Sequence, residues 1–180
     1  MTAPEIPRPS TWFAWHAGLI GPGARVLDFV AGKGRHGWAA AQLGAHTTLV
    51  APDQATVDQG QALAQQLGVT VEWRIANLAE TAEPLGCFEV VLLFNYLNRS
   101  RMPWILEHVA PGGVLLAEAH LEAQRELGWG PTDPDQLLHP GELARLVQPL
   151  EILHGREVLE PVGDERWRAV ASIAARRPER

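Results

Sequence analysis

The segment Val26-Leu27-Asp28-Phe29-Val30-Ala31-Gly32-Lys33-Gly34-Arg35-His36-Gly37 limits the architecture of this chain more than any other stretch. Its apolar opening reads as a strand buried on both faces, as strands of parallel sheets do. The strand ends in a glycine turn and passes into a helical pattern through Trp38, Ala39, Ala40 and Leu43. Glycines let the backbone turn sharply and approach a ligand closely. The helix then offers unpaired N–H groups and the positive end of its dipole, a place for a carboxylate or a phosphate.

The same alternation of short β-branched runs and longer helical stretches continues along the chain, so a parallel sheet with helices on both faces is expected. Strands are expected at 25–30, 47–51, 69–75, 88–94 and 114–119, with two later ones near 150–159 and 167–173. Ser10 should cap a first helix carrying Trp12, Phe13, Trp15 and Leu19, and Asp53 a helix running to Leu67. Pro103 opens a helix that Pro111-Gly112-Gly113 should stop, and Pro140 should sit at the first position of another through Leu143 and Leu146. The 180 residues suit one α/β domain without internal repeats, led by a flexible segment over 1–10.

Composition removes several function classes. The net charge is −6 and no basic face is apparent, which argues against a nucleic-acid partner. Cys87 is the single cysteine, so neither an intrachain disulfide nor a cysteine-built zinc site is available. The histidine spacing shows no metal signature, and no metal is expected. No run approaches the ~20 apolar residues that span a bilayer, and the N-terminus lacks a secretory pattern. The expected location is the cytoplasm, with no membrane partner; the oligomeric state is not readable.

Two ligands suit the glycine turn. Gly32, Gly34 and Gly37 spell G-x-G-x-x-G, which fits a dinucleotide fold. Asp28 sits where the strand ends, four residues before Gly32. A carboxylate there would oppose a pyrophosphate but would balance the ammonium or sulfonium charge of S-adenosylmethionine. Asp28 therefore favours the methyl donor, the alternative being that it only caps the turn.

Residues 26–40 resemble motif I of the class I S-adenosylmethionine-dependent methyltransferases. Residues 88–97, Phe-Glu-Val-Val-Leu-Leu-Phe-Asn-Tyr-Leu, are similar to that family's fourth strand and the active-site segment after it. Ala110-Pro111-Gly112-Gly113-Val114-Leu115-Leu116 is similar to its turn before strand five, and 131–143 looks most like the small tellurite-resistance-type branch. The resemblance implies a doubly wound, mostly parallel seven-stranded sheet with a reversed last strand. It implies S-adenosylmethionine held by Asp28, Val30, Ala31, Gly32, Gly34, Ala51, Pro52, Asp53, Asn77, Leu78 and Phe94. The chain departs from the family in three places. Ala51 stands where an acidic residue usually holds the ribose hydroxyls, Asn77 stands where one often meets the adenine amino group, and Lys33 lies in the turn. Asp53, two residues late for the ribose, is as readily an N-cap, and the Asn77 amide oxygen can still accept a hydrogen bond.

Acceptor residues are expected beyond the strand ends, where ligands sit in open α/β sheets. Arg35 and Arg99 are candidates to hold an oxyanion, and Asn95 and Tyr96 to shape the pocket of a small-molecule acceptor. Each has a structural alternative, a surface ion pair for the arginines and a core aromatic for Tyr96. His36 and His120 are candidate bases that can equally be structural histidines. The segment after strand four is not of the N-P-P-Y type, which disfavours DNA methylation. Six tryptophans, Trp12, Trp15, Trp38, Trp73, Trp104 and Trp167, fall in expected elements and are assigned to the core, while Trp129 lies in a glycine-rich stretch that reads as a lid. Two rival readings remain beside the methyltransferase: a dinucleotide-binding oxidoreductase, and a degenerate methyltransferase fold serving as a binding or regulatory module.

Overall fold

A computed structural model describes residues 7–29, 32–163 and 165–179. Seven strands form one sheet: β1 (Arg25–Asp28), β2 (His46–Ala51), β3 (Glu72–Ile75), β4 (Phe88–Phe94), β5 (Val109–His120), β6 (Glu151–Val162) and β7 (Arg166–Arg176). Their spatial order is β3-β2-β1-β4-β5-β7-β6. The first five pair in parallel, while β7 is antiparallel to both β5 and β6. The sheet is therefore mixed, with the reversed last strand inserted between β5 and β6. The order turns back between β1 and β4, and a crevice opens at the carboxyl ends of strands beside such a switch point.

Five α-helices are present among the described residues: α1 (Thr11–His16), α2 (Arg35–Gln42), α3 (Gln54–Leu67), α4 (Met102–Glu107) and α5 (Glu142–Leu146). Alternate residues of the central strands feed opposite faces, as the two-residue strand period requires. On one face Val26, Val90, Leu92 and Leu116 pack with Trp12 and Phe13 of α1 and Ala40 of α2. On the other, Leu27, Val91, Leu93 and Leu115 pack with Ile105 and Leu106 of α4 and Leu143 of α5. Leu27 and Leu115 are fully enclosed, so truncating either to Ala costs about 2–5 kcal/mol. Among the described residues no helix is long and apolar enough to cross a membrane.

Local chemistry sets the helix starts. The Ser10 hydroxyl accepts from the Phe13 N–H, and an Asp53 carboxylate oxygen accepts from the Thr56 N–H at 2.8 Å. Other expectations need correction. Pro111-Gly112-Gly113 does not precede the fifth strand but lies within β5, where the pairing with β4 shifts register between Phe88 and Val90. A Cβ on Gly113 would sit 2.8–3.0 Å from the carbonyl oxygens of Ala110, Glu89 and Phe88, so strand crowding accounts for the glycine. Pro140 precedes α5, whose N-cap is Gly141 with φ +71°. Trp15 and Trp167 are 64% and 50% exposed rather than core, because each faces away from the packed layers.

Candidate active site

The strand–turn–helix segment forms as expected, but its polar and glycine residues divide the work differently. Asp28 is buried, and its Oδ2 accepts from the Gly37 N–H of α2 at 3.0 Å. The carboxylate thus caps the helix from the neighbouring strand and balances its dipole end. Gly34 has φ +85°, and a Cβ there would lie 2.7 Å from Trp38 and 2.9 Å from Leu49. A Cβ on Gly37 would meet Leu49 at 2.8 Å. These two glycines serve helix-on-strand packing. Gly32 differs: its φ is +50° and a Cβ would meet nothing within 4 Å. Gly32 is the glycine of this motif whose surroundings are open to a ligand. Lys33 is exposed. Val30 and Ala31, also expected at the cofactor, lie outside the described residues.

Beyond the ends of β1, β2 and β3 lies a mainly apolar cavity of about 210 Å³, lined by Phe29, Ala51, Pro52, Asn77, Leu78 and Tyr96 among others. Four of the residues expected to hold the cofactor, Ala51, Pro52, Asn77 and Leu78, are brought together here. Asp53 and Phe94 are not. Asp53 is exposed and capping α3, and its carboxyl is held below the usual range by the Thr56 hydrogen bonds. Phe94 is buried and stacked on His36 at 3.9 Å between ring centroids. The Asn77 oxygen accepts from the Ala79 N–H at 3.1 Å, a local Asx turn that shapes the cavity wall. The mainly apolar lining suits the purine of an adenosyl group. Ala51 supplies no side-chain acceptor for ribose hydroxyls. Phe29 was missed by sequence reasoning, although its place one residue past Asp28 was a signal.

A second cavity of about 300 Å³ opens at the tips of β4 and β5, lined by Asn95, Tyr96, Ala119, His120, Pro131 and Gln136, with Leu97. Tyr96 lines both cavities. Asn95 has φ +57°, the one non-glycine residue with positive φ among those described, and its N–H donates to the Glu118 carbonyl at 2.8 Å. That conformation turns the chain off β4 so that Tyr96 stands over the strand ends. Pro131 and Gln136 come from the polar stretch between β5 and α5. Trp129 of that stretch is tied to β7, its Nε1–H donating to the Trp167 carbonyl at 2.8 Å.

Neither of the two candidate arginines borders these cavities. Arg99 lines neither cavity; its guanidinium is committed to Glu142 at 2.5 Å and to the Asp135 and Leu137 carbonyls at 3.0 and 2.8 Å. It ties the start of α4 to the β5–α5 connection, and its fork is spent there rather than on an oxyanion. Arg35 is half-buried, with a long 3.5 Å contact to the Arg8 carbonyl, and its pKa is lowered by burial and by Arg168. His36 is no base: its Nε2 accepts from the Ser10 N–H at 3.1 Å, and burial first, then Arg35 and Arg168, push its pKa down to about 3.

The family model described as a methyltransferase domain matches residues 26–113, from β1 into the β5 bulge. Ribosomal protein L11 methyltransferase of Symbiobacterium thermophilum is 30% identical over 113 residues; the match covers 62% of this chain and 37% of that relative, so this chain spans little more than a third of its length. TehB from Haemophilus influenzae superposes with a TM-score of 0.76 at 18% identity, over 94% of this chain and 62% of that one. A SAM-dependent methyltransferase from Methanosarcina mazei also gives 0.76, at 13% identity, over 97% of this chain and all of that one (100%). The chain has the Rossmann-like methyltransferase fold in a single unit, and its β1-to-β5 half matches the methyltransferase domain.

Proposed function

We propose that this chain transfers a methyl group from S-adenosylmethionine to a small-molecule acceptor. One observation carries the reading: Tyr96 is a wall common to two adjoining cavities at the switch point, one apolar and slot-like, the other rimmed with neutral hydrogen-bonding groups. A cofactor and an acceptor in these cavities would meet at Tyr96, the arrangement a direct transfer needs. When bound, the cofactor supplies a methyl carbon activated by a sulfonium. The chain's own residues then position and exclude water: Ala51, Pro52 and Leu78 enclose the purine, and Tyr96 and Asn95 border the acceptor. Gly32 leaves room for the methionine moiety.

Asp28 supports this reading over a dinucleotide. Its carboxylate already occupies the amide end of α2, the place a pyrophosphate would need. The sequence likeness over 131–143 supports the small tellurite-resistance-type branch as the finer assignment; the acceptor is a separate matter, since Arg99 is committed elsewhere and among the described residues no cationic side chain lines the second cavity. The reaction is assigned to the cytoplasm. Calorimetric titration with S-adenosylhomocysteine, with NAD as control, tests the proposal. Micromolar binding that is lost in Leu78→Trp, which fills the slot, is expected. A folded protein that ignores S-adenosylhomocysteine but binds NAD makes it a dinucleotide protein, and one that binds neither makes it a retired fold.

A further inference from the structure

Resting on that reading of the site, we infer that its acceptor is a small uncharged molecule whose nucleophilic atom carries a proton, a phenol-type hydroxyl or a thiol, and that His120 takes that proton. The seven histidines of the chain sort by their partners. His16 and His154 bond each other at 2.9 Å, His36 accepts from Ser10, His108 bridges Trp104 and Leu85, and His139 pairs with Glu122. His46 is exposed at the start of β2. Only the His120 side chain is half-buried with no hydrogen bond or ion pair among the described residues, and it lines the second cavity. Tyr96 and Gln136 of the same lining also keep their side-chain polar groups free of hydrogen bonds among the described residues.

Among the described residues no carboxylate, lysine or arginine lines this cavity. It therefore offers no counter-charge to an oxyanion and none to an ammonium, which leaves a neutral acceptor. The nearby charges act on His120 itself. Burial first, and then Arg168 of β7, hold its pKa below the ordinary histidine value, which favours the neutral, proton-accepting imidazole. Glu118, two residues earlier on β5, is consumed by Ser172 at 2.7 Å, Arg156 at 3.4 Å and Arg168 at 2.9 Å and is not a competing base. In the step, the acceptor heteroatom bonds the methyl carbon with a lone pair. The carbon–sulfur pair stays on sulfur, and the heteroatom's proton passes to an imidazole nitrogen of His120. Sulfonium becomes thioether, imidazole becomes imidazolium, and charge is conserved.

The test uses the full chain, wild type and His120→Asn, with catechol and benzyl mercaptan as proton-bearing probes and tellurite and dimethyl sulfide as probes without a heteroatom–hydrogen nucleophile. S-adenosylhomocysteine affinity is measured on both proteins by calorimetry. The expected result is methylation of a proton-bearing probe, a loss of about 10²–10⁴-fold in kcat in His120→Asn with cofactor affinity unchanged, and recovery as pH rises and the acceptor ionises by itself. Imidazole NMR should show His120 titrating below the ordinary value and shifting on addition of catechol. Equal rates and pH profiles in the two proteins overturn the role of His120. Wild-type protein that binds S-adenosylhomocysteine yet methylates tellurite, dimethyl sulfide or none of the probes overturns the acceptor class. Absence of cofactor binding instead overturns the methyltransferase reading on which both rest.

Discussion

Acid should destabilise this protein through His36, by an amount the structure allows to be worked out. The ring is 4% exposed, stacked 3.9 Å from Phe94, and accepts the Ser10 N–H, so it is held neutral with a pKa of about 3. In the unfolded chain the same group titrates near its ordinary value of about 6.5. Between these values the unfolded state binds a proton that the folded state refuses, so stability is full above about pH 6.5 and falls as pH drops. At about pH 5 the loss is ~1.5 pH units at ~1.4 kcal/mol each, about 2 kcal/mol. That is a large share of the ~5–15 kcal/mol available to a typical domain. Urea unfolding followed by tryptophan fluorescence at about pH 7.5 and about pH 5 measures it. In His36→Gln the amide oxygen can still accept from Ser10 but cannot titrate, so the pH-dependent loss should shrink by about 2 kcal/mol whatever the variant's own stability. His108 and His120, also lowered by burial, contribute equally to both proteins and cancel. Identical pH-dependent losses in the two proteins would refute the linkage.

Gly34→Ala should cost about 2–4 kcal/mol, since the new Cβ meets Trp38 and Leu49 at a positive φ, whereas Gly32→Ala should show only the backbone penalty of about 1–2 kcal/mol; thermal melts separate them. Asn95→Gly should melt within about 0.5 kcal/mol of wild type, and Asn95→Val should lose about 1–3 kcal/mol because a β-branched residue resists the φ of +57°. Glu118→Leu should lose about 3–5 kcal/mol in chemical unfolding, because it removes a buried carboxylate from between Arg156 and Arg168 and leaves both cations to Glu160.

The parts of the fold decided by neighbouring residues were readable from the chain. The Ser10 and Asp53 caps, the apolar 88–94 strand and the turn at Gly32 each follow from contacts within a few positions, and they lie where expected. What depended on distant strands was not readable. The β5 bulge is set by the Phe88 and Glu89 carbonyls, and the need for glycine at 37 by Leu49 of β2, which also crowds 34 beside Trp38. An ion pair was one of two readings of Arg99, but its partner Glu142, 43 positions away, could not be identified from the chain. Ala51, Asn77 and Leu78 were placed by resemblance and do converge on one slot, while Asp53 and Phe94 were drawn to local and packing roles. The availability of His120 was invisible for the same reason: only the folded structure shows which histidines already have partners.

The most direct test is a crystal structure of the protein with S-adenosylhomocysteine. The account predicts the adenine between Ala51 and Leu78, with the sulfur near Tyr96 and the amino-acid end beside Gly32. A ligand bound elsewhere, with the Ala51–Leu78 slot left to solvent, would contradict it.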